Sequence, residues 1–202
     1  MKIIFAGTPE FAVPSLQRLI DSKHEVIAIY TQPDRPAGRG RKIQSSPVKL
    51  LAEQSSLDIY QTVSLKNADA LAEFERVAVD VDVMVVVAYG LILPEAVLHA
   101  PKYGCVNLHP SRLPQWRGAA PIQHAILHGD KTTAVTVMQL EKGMDSGPVL
   151  YQREYAIHAN ETSGELHDRL AVEGADCLLH TLNEMAKGKV APIVQQHELA
   201  TY

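Results

Sequence analysis

Several large protein classes are excluded by what this sequence lacks. It has 2 cysteines in 202 residues, Cys105 and Cys177, with no CxxC spacing. That pattern belongs to the reducing cytoplasm rather than to a disulfide scaffold. No apolar run approaches the roughly 18 residues that a membrane helix needs. The opening MKIIFAG carries one Lys and a short apolar stretch that turns at once, too short for a signal peptide. No membrane partner is expected. Internal repeats and low-complexity segments are absent as well. Excess positive charge is also missing, since the formal net charge is −4, so any polyanion must be met by a local patch. With 46% hydrophobic and 21% charged residues, the chain has what one globular domain with a substantial core requires.

What is present is an alternation of apolar runs with stretches of helical period, the pattern of an α/β protein whose helices flank a mostly parallel sheet. KIIFA predicts the first strand and Pro14 to Asp21 its helix, with Pro14 suited to a first turn. EVIAIYT, DIYQ, GCVNLH and TTAVTVMQL predict further strands. Val48 to Gln54, Ala68 to Glu75 and PIQHAIL predict helices. Val81 to Gly90 is almost continuously β-branched, as only a strand buried on both faces can be, and marks the centre of the sheet. PVLYQREYAI reads as an extended edge arm. Ser163 to Lys187 reads as one long closing helix, started by Thr162 or Ser163 with Glu165 behind. The polar tail from Val190 to Tyr202 reads as a linker rather than a packed element.

Open α/β sheets bind ligands beyond the carboxyl ends of their strands, which directs attention to the loops there. AGTPEF, after the first strand, has one glycine rather than GxGxxG and predicts a plain turn into a helix. The next loop, Thr31 to Lys49, crowds Arg35, Arg39, Arg41, Lys42 and Lys49 among prolines and glycines that argue against regular structure. A charge run is often only a solvated face. In a long loop of an acidic protein, guanidinium groups predict recognition of an anionic macromolecule.

The stretch CVNLHPSRLPQWRGAAPIQ carries the clearest chemistry. Strand alternation puts Asn107 and His109 on one face and Val106 and Leu108 on the other. At a strand's carboxyl end, the carboxamide can stabilise an oxyanion and the imidazole can move a proton, which suits acyl transfer through a tetrahedral intermediate. The pair alone is equally compatible with a tied-down turn and an ordinary buried histidine. A third partner is offered by LEKGMDSGPVL, where Asp145, or the nearby Glu141, can reach the imidazole. No GxSxG elbow is present, so direct transfer to an incoming amine is expected in place of a covalent enzyme intermediate. His124 and His128 stand four apart without HExxH and read as surface and packing residues; no metal is expected.

IIFAGTPEFA, TQPDRPAGRGRK, SPVK, VMVVVAYGLILP, NLHPSRLPQWRGAAPIQ and MDSGPVL occur in that order. On these segments the chain resembles the methionyl-tRNA formyltransferases over essentially its whole length. The resemblance implies a Rossmann-like formyltransferase domain, residues 1–189 here. It also implies transfer of a formyl group from 10-formyltetrahydrofolate to the amino group of initiator methionyl-tRNA. Catalysis falls to Asn107, His109 and Asp145. Folate contact falls to Ser111, Arg112, Leu113 and Pro114, which read SRLP where the family usually has SLLP, and to Tyr89, Gly90 and Leu91 after the central strand. Arg35, Arg39, Arg41 and Lys42 are the implied tRNA contacts, and the protein is expected to be a cytoplasmic monomer. In the family a C-terminal β-barrel domain follows an interdomain linker, which residues 190–202 resemble. Three other readings share parts of the pattern: a formyltransferase acting on a small amine such as glycinamide ribonucleotide or an amino sugar, a formyl-folate hydrolase, and a non-catalytic tRNA or folate binding module.

Overall fold

A computed structural model describes residues 1–37 and 42–202, which divide into two compact units, Met1–Cys105 and Val106–Tyr202. Among the described residues no helix is long and apolar enough to cross a membrane.

In the first unit, strands β1 (Lys2–Gly7), β2 (Glu25–Thr31), β5 (Ile59–Gln61) and β6 (Val83–Val87) lie in the order β5-β2-β1-β6. All of their pairings are parallel, with Ile3 opposite Val83 and Ile29 opposite Ile59. Ile3 to Ala6 and Val83 to Val87 are buried without a break, which is why these runs do not alternate with polar residues. Helix α1 (Val13–Ile20) has Pro14 in its first turn and buries Ser15, Leu16 and Leu19. Helix α2 (Pro47–Gln54) is capped by Ser46, which accepts from the Lys49 amide. Helix α3 (Ala68–Val77) is capped by Asn67, and α4 (Glu95–His99) is a short turn that the sequence pattern does not predict.

The basic loop departs from its expected irregularity. Its backbone forms two three-residue strands, β3 (Arg35–Ala37) and β4 (Lys42–Gln44), paired antiparallel. Pro36 is compatible with that ladder because a two-stranded ribbon has free outer edges.

The second unit is antiparallel. Strand β8 (Thr132–Gln139) pairs with β7 (Cys105–His109) on one side and β9 (Val149–Ala156) on the other. Helix α5 (Pro121–Leu127) begins at Pro121. Helix α6 (Ser163–Ala186) begins with a capping box in which Thr162 and Glu165 satisfy each other's amides. Leu166, Leu170, Gly174, Leu178 and Leu182 recur along its buried face.

The tail, expected from its polarity to be unpacked, is mostly exposed but is tied down at several points. Ile193 and Val149 exchange two backbone hydrogen bonds of 2.8 Å, and Gln195 is buried. Thr201 accepts the amide of Trp116 on its hydroxyl and that of Arg117 on its carbonyl. The physical reason is complementarity: the tail's polar atoms satisfy backbone groups that an irregular loop leaves without partners.

Candidate active site

Asn107 and His109 sit at the carboxyl end of β7, opposite Met138 and Thr136 of β8. Leu108, between them, faces the other way and packs against α6. A Cβ added at Gly174 there would meet Leu108 Cδ2 at 2.9 Å. A larger residue in the helix would press on that side chain, so the small one makes room for it. Only 8% of Asn107 and 5% of His109 is exposed, and polar groups buried to this degree need defined partners.

The imidazole has two unlike neighbours. Nε2 lies 2.8 Å from the carbonyl oxygen of Trp116, which can only accept, so Nε2 carries a proton. Nδ1 lies 3.6 Å from Oδ2 of Asp145, beyond hydrogen-bond length but within strong Coulomb range. A proton arriving at Nδ1 therefore creates an imidazolium between a carbonyl and a carboxylate. Of the two candidate carboxylates, Asp145 stands beside His109, while Glu141 is exposed. The ring is oriented by the Trp116 carbonyl, which no pattern of side chains in the sequence announces.

Asp145 is held in turn by the amide of Gly118, which donates to Oδ2 at 2.7 Å. Trp116, Ala120 and Asp145 all adopt positive φ, 57°, 57° and 46°. Each such residue costs on the order of 1 kcal/mol or more and persists only where its surroundings dictate it. The indole of Trp116 donates to Asp130 at 2.8 Å and packs on the rings of His124 and His128. The two histidines thus form a packing cluster with the indole, and among the described residues no group of His, Cys, Asp and Glu forms a metal ligand set.

The segment after His109 is pinned from within. The Ser111 hydroxyl donates to Gln115 O at 2.6 Å, and Thr136 donates to Ser111 O at 2.6 Å. Gln152 donates to Leu113 O and to the Thr136 hydroxyl. Ser111 is thereby enclosed, whereas Arg112 is half exposed and pairs with Glu154 at 2.7 Å. Arg112, Leu113 and Pro114 line a cleft of about 330 Å³ with Gln152, Gln196 and Leu199.

In the first unit, Tyr89 points inward. Its phenol is buried without a hydrogen-bond partner, and burial raises its pKa above the ordinary value. Its carbonyl accepts from Thr8 and Gln32. Gly90, at φ +80°, is exposed and Leu91 half-buried. Of the basic set, Arg35 is exposed at the start of β3 and Lys42 begins β4, while Arg39 and Arg41 lie outside the described residues. Lys49 is already committed, donating to Asp34 at 2.6 Å and to Gln61 at 3.0 Å.

Comparison of the whole sequence with known proteins points to one family. The family model described as formyl transferase matches residues 1–182. The chain belongs to the formyl transferase family. It is 54% identical to the methionyl-tRNA formyltransferase of Hydrogenovibrio crunogenus, over all of this chain and 64% of that protein. Among solved structures it is similar to glycinamide ribonucleotide transformylase 1 from Symbiobacterium toebii, with a TM-score of 0.75, 18% identity, and coverage of 96% of this chain and 94% of that one. It is also similar to an N-formyltransferase from Helicobacter canadensis in complex with folinic acid and dTDP-3-aminofucose. There the TM-score is 0.76 and the identity 18%, over 100% of this chain and 70% of that one. At such identity the likeness speaks to fold, and the expected Rossmann-like formyltransferase architecture with a mostly parallel sheet is the one found.

Arg117, Gly118 as an amide donor, and Gln195 are not singled out by the sequence pattern. Arg117 and Gln195 are buried, and the guanidinium donates to Gln195 Oε1 from Nε at 3.1 Å and from Nη2 at 2.7 Å. The one available signal was the presence of Arg117 and Gly118 in the same Pro- and Gly-rich stretch as His109.

Proposed function

We propose that the chain transfers a formyl group from 10-formyltetrahydrofolate to the amino group of initiator methionyl-tRNA in the cytoplasm, serving translation initiation. The observation that carries this reading is the position of His109, its Nε2 held by a carbonyl and its Nδ1 facing Asp145, on the same strand face as Asn107. The 54% identity to a methionyl-tRNA formyltransferase supports the choice of acceptor.

The folate supplies an electrophilic formyl carbon attached to a nitrogen leaving group. The Asn107 carboxamide donates to the formyl oxygen as negative charge develops there, a contribution on the order of 3 kcal/mol for one such donor. His109 accepts the proton of the attacking amine on Nδ1 and passes one towards the departing nitrogen. Asp145 stabilises the imidazolium in between. The cleft beside Arg112, Leu113 and Pro114 has the apolar walls and amide edges that a folate ring system needs. Ser111 contributes by holding that loop, and Gly90 and Leu91 are further proposed contacts. Arg35, Arg39, Arg41 and Lys42 are proposed to meet tRNA phosphates. The deciding experiment is transfer of labelled formyl from the folate to charged initiator tRNA, with charged elongator tRNA as control. Formylation of the initiator alone is expected. Formate release without acceptor, or equal labelling of both tRNAs, overturns the reading.

A further inference from the structure

We infer that Gln195, far along the chain in the tail, is a positioning residue for the Asp145 carboxylate, an inference that rests on the formyl-transfer reading above. Its side-chain amide is fully used. The nitrogen donates to the carbonyl of Asp145 at 2.9 Å and to that of Gly147 at 2.7 Å. The oxygen accepts two hydrogen bonds from the Arg117 guanidinium. Two carbonyls on one side and a guanidinium on the other leave a single orientation for this carboxamide.

Arg117 lies between the two residues that hold the catalytic pair. The Trp116 carbonyl orients His109, and the Gly118 amide holds Oδ2 of Asp145. Gln195 therefore closes a ring: Arg117 side chain to Gln195, Gln195 to the Asp145 backbone, Asp145 side chain back to Gly118. The ring spans the loop after β7 and the loop after β8, each of which carries residues at positive φ. Two irregular loops have no ladder to set their spacing, and a buried amide bonded to both sets it instead. His197 adds a further hydrogen bond, accepting from Arg117 Nη2 at 3.1 Å. Gln195 touches no reacting atom; it acts through the placement of Asp145.

The test uses two variants of the full chain. Gln195→Glu keeps an acceptor for Arg117 but removes both donors to the Asp145 and Gly147 carbonyls, and Gln195→Leu removes every polar interaction of the side chain. Both are expected to lower kcat on the order of 10- to 100-fold, with KM for folate and methionyl-tRNA unchanged. Hydrogen exchange of the Gly118 amide is expected to accelerate, while the Val135 and Val137 amides of β8 keep their protection. Wild-type kcat and undisturbed Gly118 exchange in Gln195→Glu overturn the inference. So does an equal loss of protection at Gly118 and in β8, which marks a general structural role. If the unaltered chain formylates no methionyl-tRNA, the functional reading fails. The exchange measurement then still decides whether Gln195 holds the Asp145 loop.

Discussion

The amide of Gly118 and the carboxylate of Asp145 meet at 2.7 Å across 27 positions of sequence. At φ 83° Gly118 occupies backbone space that suits glycine, and the turn it allows aims the N–H at Oδ2 while the Trp116 carbonyl faces His109. One short turn thereby serves both members of the proposed proton-handling pair.

That geometry separates charge from shape at position 145. Asp145→Asn retains an oxygen for the Gly118 amide but loses the charge opposite Nδ1, so kcat is expected to fall by about 10²- to 10⁴-fold with the melting temperature little changed. Asn107→Ala is expected to cost about 10²- to 10³-fold in kcat while folate binding, measured by calorimetry, stays intact. Near-normal turnover in either variant rejects the assigned role.

The basic segment makes a prediction with an internal control. Replacing Arg39 and Arg41 by Gln is expected to weaken tRNA binding and to flatten its salt dependence, with a slope change of about 1 for each phosphate that is no longer neutralised. Replacing Lys49 by Met is expected to leave the slope alone, because its ammonium is engaged by Asp34 and Gln61. Filter-binding titrations across a salt series read both.

A second ion pair ties stability to pH. Arg169 donates to both oxygens of Glu161 at 2.8 Å, and these bonds hold the carboxyl below the usual carboxylate range. A group whose pKa is lower folded than unfolded stabilises above its unfolded value, near 4.3. That stability is lost as pH falls through the folded value. Glu161→Gln is therefore expected to melt below wild type near neutral pH, with the two curves converging as the medium is acidified. A melting difference that persists in acid overturns this.

The thiols give a test of packing. Burial pushes Cys105 up to about 12 and raises Cys177 as well. Neither is expected to react with iodoacetamide in the native state at about pH 8, and both should react in denaturant. Rapid native labelling of Cys105 would show that β7 is not closed as described.

Much of the framework was legible because strands buried on both faces spell continuous apolar runs; EVIAIYT coincides with Glu25–Thr31. The short elements were not. Strands β3 and β4 have three residues each and α4 has five, too few for a period to emerge from the composition of a loop. Asn107, His109 and Asp145 could be picked out as candidates because chemistry carried by side chains is written in the letters. The orientation of His109 could not, since every residue offers the same carbonyl and only the turn at Trp116 selects one. Gln195 escaped for another reason. A polar residue in a polar tail looks solvated until the fold places it beside two carbonyls and a guanidinium.

Trp116 is the only tryptophan in the chain, and its backbone oxygen touches the His109 imidazole while its ring rests on His124 and His128. The tryptophan fluorescence of this chain thus comes from a single lamp fitted beside the proposed reaction centre. Emission colour and lifetime, followed during mixing with folate or charged tRNA, would watch that spot directly, without any dye attached.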